Sequence, residues 1–466
     1  MIPFLGRNFL LDTQTAAVLY HETAAQQPIF DFHCHLSAQE IYEDRPCCDL
    51  YELWLAHDHY KWRTMRFAGV EERLITGDGD AYEKFLAWTS VVPDAIGSPL
   101  YHWVHLELRR YFGIEETLSP KTAPSIWKQA NRIIRERRFS PRKLLELQNV
   151  RELCTTDDIS EGLEAHRLLQ ADTSLKFKVY PTFRLDPLLE LEHPGFKQYV
   201  QKLSEWAGFS LNSLEALQEA LLRQMDSYDR MGCRTADHGL ITVPYRQADA
   251  LEAGRIYRER LEHGPLTREE HDTFRSYLLQ FLFREYHKRN WVAQVHIGSL
   301  KNYRTRIRES FGSAAGCDSM HDRLVAEELN LFLDALDRDE ALPRTILFNI
   351  NPSMNDALAS AAANFADEGI AGKVQLGTAW WLLDHKEGIE RQLRCFAEQG
   401  LLAASVGMLT DSRSYLSYVR HEYYRRILCG MLGRWVESGE YPADLPHLQR
   451  VVKRICYENA KEFFRV

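Results

Sequence analysis

Eight short apolar runs, with helical patterns between most of them, predict an α/β chain folded as a (β/α)8 TIM-type barrel. Two further observations shape that prediction. Polar or histidine-bearing residues follow the runs, as expected where strands open onto an active-site face. Roughly 115 residues separate the first run from the second, far beyond an ordinary βα connection, which predicts a mostly helical insertion after the first strand. The expected organisation is a barrel of residues 1–35 and 150–466 carrying an insertion over 36–149.

The first run, 29–33, holds Ile29, Phe30 and Phe32 and reads as a buried strand. Strand side chains alternate, so His33 and His35 face one way and Cys34 the other. Two imidazoles at one strand end suit a single divalent ion such as Zn²⁺, although His-x-His alone is a weak signal. The insertion is rich in Trp, Tyr, Leu and charged residues, and Ser140-Pro141 marks a helix start within it. The remaining runs are 150–154, 177–181, 233–237, 292–297, 345–350, 373–377 and 405–409. Between the third and fourth, Leu214, Leu217, Leu221 and Met225 share a helical face, with Asn212 and Glu215 spaced as a capping box and Gly232 as a stop. A second expansion lies at 244–289, and an amphipathic helix is expected over 322–336. No internal repeat or low-complexity tract is present.

A net charge of −9 argues against nucleic acid as the main partner. The most basic stretch, 131–138, is broken by isoleucines and a glutamate and reads as a solvated helix face. Nine scattered cysteines without a Cys-x-x-Cys pair fit a reduced, cytoplasmic protein. Phe9-Leu10-Leu11 is too short for a signal core, and no window reaches the length of a membrane span.

The predicted strand ends form a coherent set. They present His33 and His35, then Arg184, then Asp237-His238-Gly239, then His296, then Trp380 and Trp381, and finally Asp411 and Arg413. The insertion adds a polar-aromatic cluster from His57 to Arg63. Each has a plainer reading. His296 alone is a core histidine, Asp411 a helix cap, Arg184 and Arg413 surface ion pairs, the tryptophans packing, and the cluster a wet loop. Together at a barrel mouth they favour chemistry: a carboxylate beside two histidines can bind metal and move a proton, and arginines can clamp a substrate carboxylate. The fourth run has no lysine to bridge two metals and the sixth ends without a histidine, so one ion is expected rather than a pair.

His-x-His on strand one, His on strand five and Asp on strand eight resemble the amidohydrolase superfamily. The segments around His33–His35, Asp58–Arg63, Tyr180–Arg184, Ala379–Trp381 and Met408–Ser414 resemble, in order, the uronate (glucuronate) isomerase family, from near residue 4 to near residue 464. That resemblance implies aldose–ketose isomerisation of D-glucuronate to D-fructuronate and of D-galacturonate to D-tagaturonate. It implies a divalent metal, commonly zinc, on His33, His35 and Asp411. It further implies a sugar-acid site lined by His59, Tyr60, Arg184, His296, Trp381 and Arg413, with His59 and Tyr60 supplied by the insertion. Asp411 is then expected to move the carbon-bound proton through an enediolate, and Tyr60 and His59 the oxygen-bound proton; a hydride shift is the rival. Whether His296 meets metal or substrate stays open. The same ligands would serve a hydrolase of the superfamily, but the paired arginines and the His59-Tyr60 cluster favour the isomerase. A sugar-acid-binding protein on a decayed barrel would have lost the His33, His35 and Asp411 set. The expected partner is a small hexuronate, with neither nucleic acid nor membrane, and the insertion offers a surface for self-association as a homo-oligomer.

Overall fold

The computed structural model describes residues 3–312 and 315–466. Its strands are β1 (Ile29–Asp31), β2 (Val150–Cys154), β3 (Asp157–Asp158), β4 (Lys178–Tyr180), β5 (Phe183–Arg184), β6 (Thr235–Leu240), β7 (Val292–Ile297), β8 (Ser299–Leu300), β9 (Ser319–Met320), β10 (Thr345–Asn349) and β11 (Val374–Leu376). Two parallel sheets, ordered β1-β2-β4 and β11-β10-β7-β6-β5-β3, form the barrel wall. They are one wall interrupted. β2 and β3 are halves of one strand broken at Thr155-Thr156, and β4 and β5 are halves of another broken at Pro181-Thr182. Backbone bonds from Thr155 N to Tyr180 O and from Asp157 N to Thr182 O carry the pairing across both breaks.

The eighth position departs from expectation. Residues 405–409 lie between β11 and β1 but form no ladder. Left-handed backbone at Gly407 (φ 78°) and Asp411 (φ 47°) cannot continue a strand. Side chains replace part of the missing pairing. Gln375 accepts the Val406 N–H, and the buried Asp31 carboxylate accepts the N–H and hydroxyl of Thr410. Two backbone bonds, Asp411 N to His33 O and His35 N to Ser412 O, join the residues just after this segment to the end of β1. The first strand also stops two residues early, so His33 and His35 lie just beyond it. The fourth run is shifted to Thr235–Leu240 and includes His238.

Seven α-helices fill residues 38–147, the last capped by Ser140 with Pro141 in its first turn. The basic stretch sits on helix Ala123–Arg137 with Arg132, Arg135 and Arg137 exposed and Ile134 buried. Helix Leu214–Arg230 is capped by Ser213, whose hydroxyl accepts the Ala216 N–H, rather than by the expected Asn212 and Glu215 box. The amphipathic helix expected over 322–336 spans Ala326–Asp337. Helix Val419–Glu437 is buried over most of its length and packs against Gln14–Glu22, sealing the barrel next to the irregular eighth segment. All nine cysteines are unpaired, and among the described residues no helix is long and apolar enough to cross a membrane.

Candidate active site

The two bonds that tie residues 411–412 to residues 33–35 set the centre of the site. They bring Asp411 Oδ1 to 3.3 Å from His33 Nε2 and 3.1 Å from His35 Nε2. All three residues line a cleft of ≈ 280 Å³ at the strand ends, with His59, Arg184, His296, Lys301, Trp380, Trp381 and Arg413 around it. Asp411 is buried, which opposes ionisation, but hydrogen bonds from His33 and His35 hold its carboxyl well below the usual carboxylate range. Burial pushes His35 down to about 4, so its ring is neutral near pH 7. Burial also opposes charge on His33, yet Asp237 and Asp411 outweigh it and raise its pKa.

A second cluster shares His33. On β7, His296 Nδ1 lies 2.6 Å from Asp237 Oδ1, and Arg184 Nη1 donates to Asp237 Oδ2 at 2.6 Å. The carboxylate partner fixes the tautomer: Nδ1 carries the proton, leaving Nε2 as an acceptor. That Nε2 is buried without a protein partner. Phe348 stacks on the ring at 4.5 Å, and Trp380 meets it edge-on at 4.6 Å. Asp237 is buried, but Arg184 and His296 keep its carboxyl far below the ordinary value.

Two donor sets have metal-ligand proximity: His33, His35 and Asp411, and His33, Asp237 and His296. The first has the nitrogen–nitrogen–oxygen chemistry that suits a divalent ion, with His35 already neutral. In the second, Asp237 is committed to Arg184, whose fixed positive charge would oppose a further cation. The donor chemistry therefore fits one ion in the first set.

His59 and Tyr60 open helix His59–Phe67. Asp58 caps it, accepting the Tyr60 and Lys61 N–H groups, and the buried Lys61 ammonium neutralises the cap at 2.7 Å. His59 reaches the cleft, its ring 4.3 Å from that of Trp381, and burial beside Arg413 depresses its pKa to about 3. Tyr60 sits behind this pair. Its ring is 4.2 Å from Trp381, and its hydroxyl donates to Asp384 Oδ2 at 2.8 Å. The Arg420 guanidinium lies over the Tyr60 and Trp103 rings, 3.6 Å from Asp384, and donates to the Thr410 carbonyl beside Asp411.

The cleft thus gathers eight of the nine residues singled out in the sequence, with Tyr60 one layer back. Sequence reasoning gave no role to Asp237, Asp384 or Arg420. Asp237 had a signal, since it ends a predicted strand. Asp384 had only its nearness to the Trp380-Trp381 pair, and Arg420 had none.

The family pattern described as "Glucuronate isomerase" matches residues 1–464. The chain is 47% identical, over 100% of both chains, to "Uronate isomerase" of Histophilus somni, and 45% identical, again over 100% of both, to that of Caldanaerobacter subterraneus subsp. tengcongensis. Its fold superposes on the crystal structure of a uronate isomerase from Thermotoga maritima with a TM-score of 0.94, at 32% identity over 99% of each chain.

Proposed function

The chain belongs to the glucuronate isomerase family and is an isomerase, and from that premise we propose that it interconverts D-glucuronate with D-fructuronate and D-galacturonate with D-tagaturonate by proton transfer through an enediolate. The observation that carries the reading is one ionised, buried carboxylate, Asp411, held by two histidines at the floor of a cleft lined by cations and tryptophan. His33, His35 and Asp411 would hold one divalent ion, Zn²⁺ by donor chemistry. When bound there, it would stabilise negative charge developing on the substrate's adjacent oxygens.

Asp411 takes the proton from C2 of the aldose and returns it to C1, giving the ketose. Its oxygen sits at the junction of both histidines, so its own position is fixed before substrate arrives. His59, neutral near pH 7, faces the cleft and relays the proton between the two oxygens. Tyr60, tied to Asp384, supports His59 and Trp381 and joins the relay when its hydroxyl turns inward. His296 Nε2 accepts a substrate hydroxyl while Asp237 holds the other face of its ring. Arg184 and Arg413 place positive charge at the rim for the sugar acid's carboxylate, and Trp381 walls the sugar ring. In this reading segment 36–149 is an insertion whose helix His59–Phe67 lends the site His59 and Tyr60. The nine unpaired cysteines support a reducing, cytoplasmic setting.

The test is D-glucuronate deuterated at C2, with ketose formation and label followed together. Ketose with label lost to solvent supports the carboxylate base. Complete retention at early times would favour a hydride shift, and no ketose from either uronate with metal supplied would end the reading of these two uronates as its substrates.

A further inference from the structure

The end of the barrel opposite the cleft holds positive charge that the protein does not neutralise. Arg344 immediately precedes β10, the strand whose far end packs Phe348 on His296. Arg344 is only 6% exposed. One Nη donates to the Phe463 carbonyl and the other to the Asn290 carbonyl, so three of its five N–H donors have no protein acceptor among the described residues. Its neighbour Arg465 donates to the Asn290 side-chain oxygen at 2.6 Å. Neither arginine forms an ion pair among the described residues. Carbonyl oxygens supply partial charge only, so a full positive charge is kept out of water here without a counterion, which is costly. Burial and the facing Arg465 pull the Arg344 pKa down to about 10, which leaves it charged near pH 7.

Both arginines line a cavity of ≈ 180 Å³, together with Arg454, Asn459, Glu462 and the turn at 369–371. The charges of the lining do not cancel. Glu462 is its single carboxylate among the described residues, and Arg454 pairs with it at 3.1 Å. Asp367, beside the turn, is taken by Lys373. Three arginines against one glutamate leave two positive charges, those of Arg344 and Arg465. Asn459 connects this cavity to the irregular eighth segment. It accepts from Arg454 Nε at 2.9 Å, and its amide donates to the Ala403 and Ser405 carbonyls at 2.8 Å, where that segment starts.

We propose that this cavity binds a small dianion of the phosphate type, either inorganic phosphate or a compact phosphate monoester, on Arg344, Arg454 and Arg465. Two net positive charges match a dianion, and guanidinium forks match the spacing of phosphate oxygens. The cavity is smaller than the about 300 Å³ at which cofactor-sized pockets begin, so it takes a compact anion rather than a nucleotide. The bound anion ties helix Asn459–Phe464 to the turn at 369–371 and to the residue that opens β10, and so stabilises the fold. It lies at the N-terminal strand ends and takes no part in the reaction, so the assignment stands apart from the identity of the substrate.

The test is calorimetric titration of inorganic phosphate into the full chain with metal supplied, at about pH 8, where phosphate is a dianion, and at ionic strength held constant with chloride. The parent should bind one phosphate with a Kd below about 1 mM, and about 10 mM phosphate should raise its Tm by about 1–2 °C over the chloride control. Arg465 is exposed, so Arg465→Gln should keep the parent's turnover and its Tm in chloride while weakening phosphate at least about tenfold, as expected for one lost charge-assisted hydrogen bond. Arg413→Gln, in the cleft, should leave phosphate affinity unchanged. A parallel titration with glycerol 3-phosphate separates the sources: tighter binding than phosphate assigns the site to a phosphate monoester, and equal or weaker binding assigns it to free phosphate. No saturation by either anion below about 10 mM overturns the proposal. So does an affinity that survives in Arg465→Gln, or one that is lost in Arg413→Gln instead, which would place the anion in the cleft.

Discussion

Tyr60 donates its phenolic proton to Asp384, 2.8 Å away and 324 residues distant in the chain, and Arg420 covers the pair from above the Tyr60 ring. This buried contact couples helix His59–Phe67 to the loop that carries Trp381, so the wall of the cleft is held from outside the barrel strands. Burial raises the Asp384 carboxyl to about 6, against the opposing pull of Arg420.

The first prediction concerns this contact. Tyr60→Phe should lower kcat about 10- to 100-fold, and Asp384→Asn about tenfold with KM little changed, in steady-state kinetics on D-glucuronate. In the parent, kcat should fall as pH drops through about 6 and Asp384 takes up a proton. Stability should respond in the opposite sense. A carboxyl whose folded pKa lies above its unfolded value adds stability to the fold as pH falls from about 6 towards 4. An acid limb of kcat that persists unaltered in Asp384→Asn would show that Asp384 is not the titrating group.

Asp237 gives the second prediction. It is the shared acceptor of His296 and Arg184 and is fully buried. Asp237→Asn leaves a partly buried guanidinium short of one partner and the His296 tautomer unfixed, so stability should drop by about 2 kcal/mol in denaturant titration and kcat/KM about 100-fold. A variant as stable and active as the parent would show that the pair is incidental.

Metal removal is the third. Chelation followed by dialysis should abolish turnover and lower Tm by a few degrees, with Zn²⁺ restoring both. His35→Ala should lose the Tm response to chelator. Full turnover by verified metal-free protein would mean that the His33, His35 and Asp411 set works without an ion.

The sequence made the barrel legible because alternation of apolar runs and helices is a local signal. It also exposed His33, His35, Arg184, His296, Trp381, Asp411 and Arg413, because strand ends place side chains on a common face. What it could not reveal depends on partners far apart in the chain. The break at Pro181-Thr182 looks like a strand end rather than the middle of a barrel stave. The eighth run is apolar like the others, yet Asp31 captures Thr410 and two left-handed residues prevent a ladder. Ser213 outcompetes Asn212 as a cap, a one-residue choice that spacing does not decide. Asp384 and Arg420 acquire meaning only when residues 60, 384 and 420 are brought together.

In the proposed mechanism the Asp411 carboxylate moves the carbon-bound proton of a hexuronate. The decisive experiment follows ketose formation from D-glucuronate in the parent and in Asp411→Asn, with metal content measured in both. The expected result is ketose from the parent and a loss of at least about 1,000-fold in kcat for Asp411→Asn that persists when its metal site is filled. Turnover within about tenfold of the parent in the metal-loaded variant would contradict it.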